Sequence, residues 1–297
     1  MIRPQQKSSR RAGWISIALL CAGLNLIVFA PKTSAADQIT EKTARAFDQY
    51  VAAKEDTQNR ALAVKAGLLA IDGKAEPARA DAYDELKQGH ILISDDCKGK
   101  AENCTSIPGG LIHDWTGIVF VPGITLAEVV TTLQDYDRYR EYYQPEVLQS
   151  RLLNRSGNDF QISLRLKRTE IITVVLDTEY DIRYLQVDST REFVRSRSAR
   201  IAEVDHPGTP KESEEPVGND HGFLWRLYSY WYLYQANGGV YIQCNAVSLT
   251  RDVPAGLGWL VDSFIKRLPA ESLRNTLAET RTTLLAHSKV VPNDAHH

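Results

Sequence analysis

The chain has 297 residues, 43% hydrophobic and 24% charged, long enough to bury a substantial core as one or two domains. Its formal charge is −2, but the first 35 residues hold five bases (Arg3, Lys7, Arg10, Arg11, Lys32) and no acid, so their removal leaves 30 basic against 37 acidic residues, a net charge of −7. That balance argues against nucleic acid as a partner, because phosphate binding needs a positive surface.

Residues 1–35 carry the pattern of a secretory signal peptide. A basic start precedes an uncharged apolar run from Trp14 to Ala30. Thr33-Ser34-Ala35-Ala36 then offers small residues for cleavage after Ala35 or Ala36. The expected location is periplasmic or secreted. An uncleaved membrane anchor is the alternative, since the run approaches the ~20 residues a span needs.

Residues 36–108 read as a helical segment followed by a loop. Ala44, Phe47, Tyr50 and Val51 recur at helical spacing, Asp72-Gly73 ends a later apolar stretch, and Ala78 to Lys87 forms a short helix closed by Gly89. This segment either packs on the main domain or serves as a partner-binding arm. Cys97 and Cys104 bracket a polar loop and are expected to pair in an oxidising compartment, worth about 2.5 kcal/mol at most for so short a loop. Their spacing fits neither a CxxC redox motif nor a zinc site. Cys244 lies mid-strand and reads as a small buried apolar residue.

The main domain is expected over residues 109–288, with a flexible tail at 289–297. Leu111 to Val121 is a strand stopped by Pro122-Gly123. Thr125-Leu126-Ala127-Glu128 is a capping box, and Leu126, Val129, Val130 and Leu133 follow on one helical face. Tyr136, Tyr139 and Tyr143 continue that spacing as far as Pro145. Phe160, Ile162, Leu164 and Leu166 alternate with polar residues, as do Val174, Leu176, Tyr180 and Ile182, which predicts antiparallel strands with one buried face. Bases on one strand can pair with acids on the next. Arg191 to Val204 is a further strand, and His206 to His221 is expected to be a mobile surface loop.

The last third begins with an aromatic strand, Leu224 to Gln235. A turn at Ala236-Asn237-Gly238-Gly239 leads to a returning strand, Val240 to Leu249. After Val253-Pro254-Ala255-Gly256, Leu257, Leu260, Val261, Phe264, Ile265 and Leu268 form an apolar helical stripe wide enough to cover a sheet. Pro269 interrupts it, and Leu273, Leu277 and Leu284 carry it on.

With this order of elements the chain resembles the START-like superfamily, or helix-grip fold, which includes polyketide cyclases and lipid-transfer proteins. The resemblance is carried by Gly110-Leu111-Ile112-His113-Asp114-Trp115-Thr116-Gly117, Asp135-Tyr136-Asp137-Arg138-Tyr139, Trp225-Arg226-Leu227 and Leu249-Thr250-Arg251-Asp252-Val253-Pro254, across residues 109–285. It implies an α+β fold: a curved antiparallel sheet wrapped on a long C-terminal helix, here with an N-terminal helical extension. Many members enclose a ligand cavity between sheet and helix.

Trp225, Leu227 and Trp231 share one face of the aromatic strand with Ser229 and Leu233, and this face is placed toward the helix. Arg226, Tyr228, Tyr230, Tyr232 and Tyr234 are placed outward. The expected ligand-binding residues are these three with His113, Trp115, Leu257, Trp259, Leu260 and Phe264; plain core packing explains the aromatic face equally well. Arg165, Arg183, Arg195, Arg197, Arg200 and Arg226 suit cross-strand ion pairs better than a phosphate site. Gly256, Leu257, Gly258 and Trp259 suit a tight turn slightly better than a gate touching a membrane surface. No HExxH, GxSxG, P-loop or GxGxxG motif occurs, and no cofactor or metal is expected.

The favoured function is an exported binding protein for a lipid or other hydrophobic small molecule. One alternative is a cyclase-, dehydratase- or hydrolase-type enzyme with His113 as base. The other is a non-catalytic structural or interaction protein.

Overall fold

A computed structural model of the chain describes residues 38–64, 69–97, 106–169, 173–252 and 268–288. Outside them lie the expected signal segment, Cys104 and with it the expected Cys97–Cys104 pairing, the expected hinge at 253–259, Leu257, Trp259, Leu260 and Phe264, and the tail 289–297. Everything described falls within the contact unit Ala35–His297.

Helix α1 spans Glu41–Val64. A 3-10 turn follows at Ala70–Gly73, and α2 spans Ala78–Lys87 before Gly89 at φ 93°. Strand β1 (Leu92–Asp95) and the two-residue β2 (Ser106–Ile107) flank β3 (Gly110–Pro122). The capping box closes as its sequence requires. The Glu128 N–H donates to Thr125 Oγ1 (3.3 Å) and the Thr125 N–H to Glu128 Oε2 (2.8 Å), starting α3 at Leu126–Leu133.

The helical spacing of the tyrosines does not extend α3. Its C-cap is Gln134, and the chain instead makes a 3-10 turn (Tyr136–Arg138) and a one-turn helix α4 (Tyr139–Tyr142). The meander β4 (Val147–Ser156), β5 (Asp159–Thr169), β6 (Thr173–Asp188) and β7 (Arg191–Asp205) follows. The short β8 (Ser213–Glu214), β9 (Arg226–Ala236), β10 (Gly239–Arg251) and a C-terminal helix (Leu268–Ser288) complete the order.

The strands form one curved antiparallel sheet in the order β1-β3-β10-β9-β7-β6-β5-β4. Asn237 (φ 55°) and Gly238 (φ 74°) supply the two left-handed positions of a tight β9–β10 hairpin. The architecture is α+β, a curved antiparallel sheet with a C-terminal helix on one face and N-terminal helices on the other, as the order of elements leads one to expect. The C-terminal helix buries Leu273, Leu277 and Leu284 against Val119, Val121 and Ile242. Gly117 permits that approach: a Cβ there would stand 2.5 Å from Leu277 Cδ1 and 2.8 Å from Ile93 Cδ1.

Three expectations are corrected here. First, ten strands are present among the described residues, against the six that the sequence marks; β1 and the polar edge strand β4 lack the alternating signal that marks β5 and β6. Second, the tyrosine face of β9 is not outward. Tyr230 and Tyr232 are buried, in a core shared with Phe47, Val51 and Leu86 of α1 and α2. The β3–β10–β9 part of the sheet is therefore covered on both faces, while Glu179, Asp181 and Arg183 on the outer face of β6 stay exposed. Third, the segment His206 to His221 is tied down rather than free. Glu212 pairs with Arg165 (2.9 Å), Glu214 with Arg200, and Asn219 bridges to Gln38.

Two polar clusters fasten α1 to the sheet. Asp114, 1% exposed, accepts from Lys54 Nζ (2.6 Å), Asn245 Nδ2 (2.7 Å) and the Tyr50 hydroxyl. One residue along, Glu55 accepts from Tyr230 Oη (2.8 Å), Arg197 Nε (3.0 Å) and Arg197 Nη2. Arg195 stands 3.6 Å away.

Candidate ligand cavity

Between the sheet and the C-terminal helix lies a cavity of about 830 Å³. Its size falls in the ~300–1,000 Å³ range of small-molecule sites. The sheet twists so that alternate residues of β5 and β6 point into it: Ile162, Leu164, Leu166, Leu176, Tyr180 and Ile182. The turns after α3 add Tyr136, Tyr139 and Tyr143, and the C-terminal helix adds Leu268, Leu273 and Thr276. From β9 come Leu227, Ser229 and Trp231, and from β10 Cys244, Ala246, Ser248 and Thr250.

The phenols around the cavity are held by the protein. Tyr136 and Tyr184 share a hydroxyl contact at 2.9 Å, Tyr139 Oη donates to the Leu133 carbonyl (2.6 Å), and Tyr143 meets Thr280 Oγ1 at 3.0 Å. Burial pushes the Tyr143 phenol up to about 12 against the opposing hydrogen bond of Thr280, and pushes Tyr180 up to about 12 as well. Burial also raises Tyr139, Tyr184 and the Cys244 thiol. All stay neutral near pH 7, so the wall is apolar with protonated hydroxyls.

Charged side chains also line the cavity, among them Glu146, Lys167, Arg168, Arg251, Asp252 and Glu279. Arg168 pairs with Glu146 and lies 3.7 Å from Glu271, and Asn275 Nδ2 donates to Glu146 Oε1 (3.0 Å). Elsewhere the sheet arginines pair with acids, as Arg165 does with Asp177 (2.6 Å) and Arg183 with Asp159. Arg226 donates to the Trp225 carbonyl (2.8 Å).

The structure brings together some of the expected site residues and separates others. His113, Leu227 and Trp231 line the cavity. His113 Nε2 lies 3.0 Å from Thr250 Oγ1, and Trp231 Nε1 donates to Ser229 Oγ (3.1 Å). Trp115 sits on the same side of the sheet but packs in the cluster of Leu273 and Leu277, outside the cavity lining.

Trp225 is turned the other way. It precedes β9, in a bend where strand alternation does not hold. Its indole donates to Asp220 Oδ1 (2.9 Å), and its ring joins the core beneath α1. Leu257, Trp259, Leu260 and Phe264 lie outside the described residues.

Sequence reasoning missed the tyrosines at 136, 139 and 143 as lining residues, and the serines and threonine on β7, β9 and β10. The tyrosines do recur at helical spacing, a usable signal. The hydroxyl residues become a group only once strand register is known.

No protein-family model and no curated protein matches the chain. Among solved structures it is similar to a STAR-related lipid transfer protein from Xanthomonas axonopodis (19% identity, 66% of this chain and 98% of that one, TM-score 0.43). It is also similar to a START superfamily protein from Mycobacterium smegmatis (13%, 59% and 98%, 0.39). A third similar structure is the Zhui aromatase/cyclase from Streptomyces (10%, 60% and 94%, 0.41). These are likenesses of fold.

Proposed function

We propose that the protein binds a lipid or another hydrophobic small molecule in the cavity between sheet and C-terminal helix. The observation that carries this reading is an 830 Å³ space walled by aliphatic and aromatic side chains. Filling it with an apolar molecule removes hydrocarbon from water at about 25 cal/mol per Å². Native mass spectrometry of gently purified protein is expected to show a co-purifying apolar ligand. Ligand-free protein only, with no transfer between vesicles, would sink the reading.

Export belongs to the same proposal and rests on the basic, apolar and small-residue order of residues 3–36. N-terminal sequencing of protein from the native host is expected to begin at Ala36 or Asp37. A start at Met1 would favour the uncleaved anchor.

A second reading, catalysis with His113 as base, is supported by its place in the cavity wall beside Thr250. Under that reading His113→Ala abolishes turnover and leaves ligand affinity nearly unchanged.

A further inference from the structure

We propose that the cavity carries a subsite for one uncharged oxygen, a hydroxyl or ketone, on an otherwise apolar ligand, centred on Ser248. The inference rests on the reading of the cavity as a ligand site and narrows the ligand's class.

The wall is divided by chemistry. The β5–β6 side presents mostly carbon, through Ile162, Leu164, Leu176 and Ile182. The side built from β7, β9, β10 and β3 presents Ser196, Ser229, Ser248, Thr250 and His113. Register explains the grouping. Ser196 is paired with Ser229 across β7–β9, and Ser229 with Ala246 across β9–β10. Ser248 is paired with Leu227 on one side and His113 on the other. Residues 244, 246, 248 and 250 alternate onto the same face, so the hydroxyls form a band across the sheet.

Within this band the groups are unequally satisfied. His113 and Thr250 hold each other, and Ser229 accepts from Trp231. Ser248 is 7% exposed, lines the cavity and has no hydrogen-bond partner among the described residues. The Ser248 hydroxyl faces the cavity space, where a ligand oxygen can donate to or accept from Oγ.

The band favours a neutral group over an ionised one. It holds no permanently charged side chain, and burying an ion without a counter-charge is far more costly than burying a hydroxyl. Outside the band the lining does carry charge: Arg168 and Glu146 pair with each other, and Lys167 and Glu279 line the cavity as well. Arg251 and Asp252 at the end of β10 have partners of their own.

The test uses the full-length chain with Nile red in the cavity, displaced by dodecane, dodecanol or dodecanoate. Wild type is expected to bind dodecanol more tightly than either of the others. Ser248→Ala is expected to weaken dodecanol about fivefold and leave dodecane within about twofold, while Ser248→Thr, which keeps the hydroxyl, retains most of the preference. An unchanged alcohol-to-alkane ratio in Ser248→Ala overturns the subsite. So does dodecanoate as the tightest wild-type ligand, and that comparison needs no variant to fold. Dodecane that binds without any preference for dodecanol defeats the subsite alone. If no hydrocarbon displaces the dye, the ligand-site reading fails with it.

Discussion

Lys54 and Glu55 are neighbours in sequence, yet each enters a different polar cluster beneath α1. Asp114 is almost wholly buried, and Lys54 is the cation that compensates it. Truncating one partner of such a pair leaves the other charge stranded. Lys54→Ala is expected to cost about 2–3 kcal/mol, the partial exposure of Lys54 holding it below the full buried-pair range. Thermal denaturation should show a fall of roughly 5–10 °C.

Glu55 makes a pH-dependent prediction. Burial alone would push its carboxyl up; hydrogen bonds from Arg197 and Tyr230, with the charge of Arg195, outweigh burial and hold it below the usual carboxylate value. A depressed carboxylate contributes stability above its unfolded pKa and loses it as pH falls through the folded value. Glu55→Gln should therefore be less stable than wild type at pH 7. The gap should narrow as pH drops below about 4.5. Urea denaturation at both ends of that range measures it, and a constant gap would count against the ion-pair account.

At the scale of elements, the close approach of the C-terminal helix to β3 depends on Gly117. A valine there meets Leu277, Ile93 and Leu273, all within the contact of helix and sheet. Overpacking of this kind costs about 1–3 kcal/mol, so Gly117→Val should lower the denaturation midpoint measurably. No change would mean that the helix seats more loosely than described.

The elements also show what a reader of the sequence can and cannot extract. α2 and β5 follow from spacing and alternation, because each has one wet and one buried side, and the β9–β10 hairpin follows from its turn residues Asn237 and Gly238. The orientation of β9 does not. Its tyrosines resemble a wet face only if nothing covers them, and α1 supplies a cover that strand periodicity cannot register. Trp225 shows a related gap: parity assigns its direction only inside a strand, and it lies one residue before β9 begins. His113, Leu227 and Trp231 were legible as lining residues because β3 and β9 keep strict alternation. Ser248 was not, since a serine in an apolar strand has meaning only beside its neighbours across the sheet.

Taken as a whole molecule, the protein is a sheet with two unlike coverings. Helices α1 and α2 make a hydrophobic core on one face, with two ion-pair clusters between α1 and the sheet. On the other, the C-terminal helix packs closely over β3, β10 and β1, and β5, β6 and parts of β3, β7, β9 and β10 line the cavity. If the proposed cavity takes a ligand, changes on the packed face should alter stability more than binding. Leu86→Ala, at a fully buried position, should cost about 2–5 kcal/mol while leaving ligand affinity close to wild type.

The central claim is that the space under the C-terminal helix takes up an apolar ligand. It is tested most directly by titrating a neutral apolar dye into wild type and Ala246→Phe, which projects a ring into the cavity from its β10 wall. The account predicts one saturable site in wild type, weakened about tenfold or more in the variant, with a melting temperature that stays close. Equal affinity and stoichiometry in the two proteins would contradict it.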